Sequence, residues 1–383
     1  VAKVLAGIKV IEQGTFITGP AAGMLLADLG ADVIKVEAPG GDPFRAFKGG
    51  LYSPHFQTYN RNKRSITLDA KDPEDRKVFD ALISDADVYI QNFRPGVAEK
   101  LGAGAARLRA LNPRLVYCSI SGFGATGPLA ESPAYDTVAQ AASGFLHLLV
   151  NPENPRVVGP AMADSLTGSY AAYGVLGALL ERARTGVGRT VEVSMLEAMA
   201  HFNLDSFTHF LQADELMGPY SRPRVSQSYV LKCADGKWIA LHMSSPEKFW
   251  TGLAAALESP ELLQDERFNP RERRIQNHEQ LIAALGEKFR LRDRTDWCTR
   301  LQREDVPHSP VYDASEALAS PQALHLQLLT QTEHPVMGSF RTVRSPVSFD
   351  GERTLEVQAP PTLGEHSAQI RSALNLAGRT PAT

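Results

Sequence analysis

The chain has 383 residues, 40 Lys plus Arg against 43 Asp plus Glu, and a net charge near -3 with both signs interspersed. That length fits about two domains of roughly 100 to 200 residues each, and the balanced charge advertises neither a nucleic-acid nor a membrane partner. Cys118, Cys233 and Cys298 are too far apart for a C-x-x-C pair, so neither a disulfide scaffold nor structural zinc is expected, and no metal site is assigned.

The N-terminal VAKVLAGIKVIEQ lacks a continuous apolar h-region, and no apolar run reaches the roughly 20 residues that span a bilayer. A cytoplasmic protein is expected. Along the chain, short strand-like runs alternate with helical patterns. KVIE (Lys9 to Glu12) reads as a strand, GPAAGMLLADLG (Gly19 to Gly30) as a helix with a glycine stop, and ADVIKVE (Ala31 to Glu37) as a second strand. The grammar recurs with RSITL (Arg64 to Leu68), a helix over Pro73 to Ser84 opened by Asp72, the strand DVYI, a short helix from Val97, a helix over Ala105 to Leu111, and the strand LVYCSIS. Such apolar strands suit a mostly parallel sheet covered on both faces.

PAMADSLTG (Pro160 to Gly168) starts a long helix running to about Ala183, stopped by Gly186 and Gly188, and a strand over Arg189 to Val193 follows. The aperiodic stretch Asp214 to Gln227 reads as a linker. VLKCADGKWIALHM (Val230 to Met243) reads as a hairpin turning at Asp235-Gly236. The expected fold class is α/β, a doubly wound and mostly parallel sheet with a second, smaller α+β domain. Its expected boundaries are 1–205 for the large domain, 206–225 for a linker, 226–310 for the small domain, and 311–383 for a linker and C-terminal segment returning to the large domain.

Several loops carry candidate chemistry. Gly19 to Gly23 follows a strand and opens a helix, which suits either anion binding by backbone amides or close helix packing, but it is not the G-x-G-x-x-G dinucleotide fingerprint. Arg45 and Lys48 in GGDPFRAFKGG, and Arg61, Lys63 and Arg64 in NRNKRS, are cations that either meet a phosphorylated ligand or form a solvated loop. NFRPG (Asn92 to Gly96) and SGFGATGP (Ser121 to Pro128) follow consecutive strands, the edge at which open sheets bind ligands, with Arg94 and Lys100 within reach of phosphate. There is no G-x-S-x-G, H-E-x-x-H or Walker sequence. Asp164 stands at the start of its helix either as a cap or as a presented carboxylate.

Taken together, FITGPAAGMLLADLGADVIKVEAPGGDPFR, NRNKRSITLD, NFRPG, SISGFGATGP, YDTVAQAASG and the segment from ADSLTGSYAAYG to EVSMLEA resemble the CaiB/BaiF family of class III coenzyme A transferases, densely over residues 5 to 200. The resemblance implies transfer of CoA from an acyl-CoA thioester to a carboxylic acid, with a dicarboxylate among the candidates. It implies a homodimer of interlocked rings, with no tightly bound cofactor, the CoA thioester being a substrate. The family's nucleophilic aspartate matches Asp164. The stretches matching its CoA-binding loops contain Arg45, Lys63, Asn92, Phe93, Arg94 and Lys100. Its formyl-CoA transferase members carry a glutamine at the place matching Ile17, and its glycine-rich small-domain loop matches HMSSPEKFW, where Ser244 and Ser245 stand. Related racemases use a histidine where Tyr135 stands, so Tyr135 is expected to wall the acyl pocket. An intramolecular CoA transfer and, further off, a racemase-like reaction are the alternatives.

Overall fold

The computed structural model describes residues 3–353 and 356–374. Six strands, β1 (Lys9–Glu12), β2 (Asp32–Glu37), β3 (Lys63–Thr67), β4 (Val88–Gln91), β5 (Val116–Ser121) and β6 (Thr190–Ser194), form one sheet in the order β3-β2-β1-β4-β5-β6. Every pairing in it is parallel. Helices cover both faces, which is why Val10, Val88, Ile90 and Val116 are buried against one layer and Ile11, Tyr89 and Tyr117 against the other. The strand order reverses direction between β1 and β4, so the loops leaving those two strands diverge and open a crevice at their carboxyl ends.

Two helices floor that crevice. Thr18–Asp28 follows β1 and packs on the 24-residue helix Met162–Thr185. The approach is close because Gly168 lacks a side chain: a Cβ there would lie 2.7 Å from Ala21 Cβ and 2.9 Å from the Thr18 carbonyl oxygen. Gly23 likewise lets Glu12 and Lys63 pass beneath the first helix. The run Gly19 to Gly23 thus serves packing. The long helix ends at Gly186, whose φ of 74° is the left-handed conformation that glycine adopts without penalty.

The chain divides into two compact units. The larger comprises 1–146, 157–204 and 327–383, and the smaller 147–156 and 205–326. The smaller unit therefore takes in 206–225 and 311–326, which the sequence reading assigns to linkers. The reason is local structure: Ser221–Ser226 is helical, and Ala314–Ala319 and Pro321–His325 are short capped helices. Its sheet contains the expected hairpin, β7 (Ser228–Lys232) with β8 (Trp238–His242), joined by β9 (His308–Pro310), over a core that includes Trp250, Phe268, Phe289 and Trp297.

The C-terminal segment is part of the larger unit. After the hairpin of β10 (Leu329–His334) and β11 (Gly338–Val343), the His366 amide donates to the Ser65 carbonyl, the Gly364 amide to Ser65 Oγ, and Ile370 enters the core beside Ile66. Cys118 and Cys233 are buried free thiols and Cys298 is partly buried. No helix among the described residues is long and apolar enough to cross a membrane.

Candidate active site

A cavity of about 550 Å³ lies in the larger unit at the switch between β1 and β4. Its walls include Phe16 and Ile17 after β1, Asn92, Phe93 and Arg94 after β4, Ser121 and Gly122 after β5, then Phe44, Phe47, Tyr135 and Asp164. Gly122 is needed for this closeness, since a Cβ there would fall 2.3 Å from Ala134 Cβ.

Asn92 holds the mouth in shape. Its Oδ1 accepts from the Thr15 amide at 2.9 Å, while its Nδ2 donates to the Thr15 carbonyl at 2.8 Å and Thr18 Oγ1 at 2.9 Å. This tethers the loop after β4 to the loop after β1. Phe16 is forced into the left-handed region, at φ 60°. That conformation costs a non-glycine residue of order 1–3 kcal/mol and persists only where its surroundings over-determine it. They do: the Phe16 amide donates to Asp42 Oδ1, and its ring meets Phe44, Phe47 and Tyr135 edge-on at 5.2, 6.4 and 6.2 Å.

Beneath this mouth is a buried ion network. Lys35 Nζ lies 3.3 Å from Glu12 Oε1, 3.0 Å from Asp42 Oδ2, and donates to the Gly14 carbonyl at 2.8 Å. Lys63 Nζ donates to Glu12 Oε2 at 3.0 Å, to the Pro20 carbonyl and to Asn60 Oδ1. Burial lowers Lys63 to about 8 against the pull of Glu12. Arg45 is fully buried, bidentate to Glu37 at 2.7 Å for both bonds, and lies over the Phe56 ring. Arg45 and Lys63 therefore do not reach the cavity as direct ligand contacts. Both are committed to carboxylates inside the fold, a correction to the loop cations expected from sequence. Lys100 is exposed at the end of the short helix Val97–Lys100 and does not line the cavity, whereas Arg94 is exposed and does.

Asp164 lies in the first turn of its helix, two residues after the helix begins at Met162, and does not cap it. The residue in the cap position, Ala161, has no side chain to offer. The acceptor comes instead from Asp136, whose Oδ1 takes the amides of Ala163 at 2.7 Å and Asp164 at 3.2 Å. The Asp164 carboxylate accepts no hydrogen bond from the described residues and faces the cavity. Burial, with the Asp136 charge second, raises it from the usual carboxylate value to about 7. The carboxylate is thus partly desolvated, unpaired among the described residues, and held in the cavity wall, the setting in which perturbed carboxyl groups cluster at functional sites.

The remaining sequence candidates divide cleanly. Ile17 is nearly buried in the cavity wall beside Phe44 and Phe56, and Tyr135 is 63% exposed at its rim. Ser244 and Ser245 are exposed in the smaller unit just after β8. Ser244 adopts a φ of 54°, the conformation a glycine would take there freely. His201 is tied to the Tyr170 hydroxyl and is not among the residues lining Asp164's cavity, and His209 is bonded to Glu215 in the smaller unit. Among the described residues there is no cluster of three or more metal-ligating side chains. Sequence reasoning missed Phe16, Phe44 and Phe47, and missed Asp136 as a cap; the available signal was an aspartate at a helix start with Gln140 four residues on.

The structure thus has a doubly wound parallel sheet with a cavity at its switch point and an unpaired carboxylate, Asp164, in the cavity wall. The chain belongs to CoA-transferase family III, the CaiB/BaiF family, whose model matches residues 5–367, and it is a class III CoA-transferase. It is 32% identical over 381 residues to the human succinyl-CoA:glutarate CoA-transferase, covering 96% of this chain and 85% of that protein. It is 33% identical over 386 residues to the acetyl-CoA:oxalate CoA-transferase of Acetobacter aceti, covering 95% of this chain and 94% of that one. A solved CAIB/BAIF family protein from Brucella suis matches it with a TM-score of 0.86 at 33% identity, over 97% of this chain and 99% of the other.

Proposed function

We propose that this enzyme transfers CoA from an acyl-CoA thioester to a carboxylic acid through intermediates covalently held on Asp164. In the first step an Asp164 oxygen attacks the thioester carbonyl, the C–S bond breaks, and a mixed anhydride and CoA thiolate result. The thiolate then attacks Cγ of Asp164, forming an aspartyl-CoA thioester and releasing the donor acid. The acceptor carboxylate attacks that thioester carbonyl, giving a new anhydride and thiolate. Attack of the thiolate on the acceptor carbonyl yields the product thioester and returns Asp164. Each step exchanges one acyl bond for another, so no oxidant, metal or external energy source is needed.

The observation that carries this reading is the Asp164 carboxylate, free of its own helix and facing the cavity. A carboxylate stripped of part of its hydration is a stronger nucleophile, and a dry pocket protects both anhydride and thioester from hydrolysis. Phe16, Phe44, Phe47 and Tyr135 give the cavity an aromatic wall that supports such shielding, with Phe47 and Tyr135 at its exposed edge. Asn92, Phe93 and Arg94 line the cavity, which supports assigning Arg94 to an anionic group of CoA or of the acid. The names of the human and Acetobacter relatives favour a dicarboxylate on at least one side of the exchange.

The active form is a homodimer. Exposed Phe210, Leu211 and Leu216, the last 84% accessible, support an apolar face that a second copy covers; light scattering that finds only monomer at micromolar concentration refutes this. Function is tested by incubating succinyl-CoA and other acyl-CoA donors with mono- and dicarboxylic acids and weighing the products. Transfer confined to apolar monocarboxylates overturns the dicarboxylate preference. Hydroxylamine added with acyl-CoA should convert Asp164 to its hydroxamate, found by peptide mass, and undiminished transfer in Asp164→Asn rules out the covalent route.

A further inference from the structure

The nucleophile assignment leaves a second carboxylate at the site without a task. Asp136 opens the helix Asp136–Ala142 and is only partly exposed. Its Oδ1 receives the Ala163 and Asp164 amides at 2.7 and 3.2 Å, and its Oδ2 receives Gln140 Nε2 at 2.5 Å. Gln140 is itself 1% exposed and cannot turn away to solvent. Two helices are thereby joined through one carboxylate, and the joint falls at the residue whose side chain does the chemistry.

The first turn of a helix has amides with no partner inside the helix, ordinarily satisfied by the side chain of the cap residue; where the cap offers none, a carboxylate at the third helical position can reach back to amides ahead of it. Asp164 would be that side chain, because Ala161, Met162 and Ala163 carry no acceptor. With Asp136 already seated on those amides, the Asp164 oxygens have no helical partner and extend into the cavity. Asp136 also places a second negative charge beside the nucleophile. The other charged or titratable groups around it are otherwise engaged or distant from this role: Glu197 is bonded to Ser194, His201 to Tyr170, and Asp28 to Arg61, while Tyr135 and Arg94 are exposed at the rim.

We infer that Asp136 is the positioning residue of the transfer, occupying the helix amides that would otherwise sequester Asp164 and leaving its carboxylate free in the cavity. Its charge, second to burial, also bears on the pH at which Asp164 ionises. This rests on Asp164 being the nucleophile. The role has two separable parts. A neutral acceptor retains the seating and discards the charge; alanine discards both. Because like charge disfavours ionisation of its neighbour, removing it makes Asp164 available at lower pH.

The test is the pH dependence of kcat and KM for acyl-CoA in Asp136→Asn and Asp136→Ala. In Asp136→Asn the acid limb of kcat moves down by about one pH unit, while kcat at pH 8 stays within a few-fold of the parent. In Asp136→Ala kcat at pH 8 falls by roughly tenfold to a hundredfold with KM for acyl-CoA little changed, since a displaced nucleophile costs rate rather than binding. Asp136→Ser keeps one neutral oxygen acceptor on a shorter side chain and serves if the asparagine variant does not fold. An acid limb that stays in place in the neutral variants, or full activity in Asp136→Ala, overturns the inference. Asp164→Asn separates the two ideas: if it remains active the nucleophile reading fails, and if it is inactive while the Asp136 variants behave as the parent, only the positioning role fails.

Discussion

An unpaired, partly buried carboxylate should weaken the fold that holds it, and Asp164→Asn measures by how much. In the folded protein the Asp164 carboxyl is raised from 3.8 to about 7, first by burial and then by Asp136. The folded state thus binds the proton more tightly than the unfolded chain. Below pH 3.8 both states are protonated and the site costs nothing. Between that value and about 7 the unfolded chain ionises while the folded one does not, so stability falls as pH rises, and above it the loss is complete. A shift of about three units corresponds to about 4 kcal/mol at most. Between pH 5 and pH 8 the part that develops is about 2.5 kcal/mol, or roughly 5–10 °C in the melting of a unit this size. Asparagine keeps the shape and never ionises. Calorimetric melts of parent and variant at pH 5, 6, 7 and 8 should therefore show the variant gaining on the parent steadily up to about 7 and then levelling. A difference that is flat across this range, or one that favours the parent more as pH rises, refutes the reasoning.

Other expectations bear on the scaffold. Gly168→Ala forces a methyl group against the Thr18 carbonyl and Ala21 and should cost about 1–3 kcal/mol by chemical denaturation, with the approach of the two floor helices disturbed. Arg45→Met strands Glu37 in the interior and should lower stability by about 3–5 kcal/mol; if instead the variant is stable and loses only affinity for CoA, Arg45 is a ligand contact after all. Ser244→Gly relieves a left-handed serine and should raise the stability of the smaller unit by about 0.5 kcal/mol, whereas Ser245→Gly, lacking that conformation, should lower it.

The sheet was legible because its strands are apolar runs separated by capped helices. Pro73–Ser84 and its Asp72 cap follow from local signals alone, and so does the turn at Asp235-Gly236. The position of Asp164 was legible too, but its freedom was not. That depends on an acceptor 28 residues earlier in the chain, on another helix, and no periodicity reports it. The cations were misread for a similar reason. Arg45 and Lys63 occur in polar stretches that look like solvated loops, while their partners Glu37 and Glu12 are in strands. A carboxylate at an inward position of an apolar strand was the missed clue, since such a charge survives burial only with a cation against it.

The C-terminal segment that hydrogen-bonds to Ser65 and lends the Pro361 carbonyl to Arg45 has a consequence for synthesis on the ribosome. The unit whose first strand is Lys9–Glu12 cannot complete its edge at β3 until residues near 370 have emerged, whereas 205–326 contains most of what the smaller unit needs. The smaller unit thus has its whole sequence in hand by residue 326, before the larger one does. The larger one waits, with Ile370 still to fill the layer over Ile66 and its outermost strand still bare. For that interval the layer over Ile66 stays unfilled, and the helix Ser367–Ala373, which carries Ile370, is the piece that closes it.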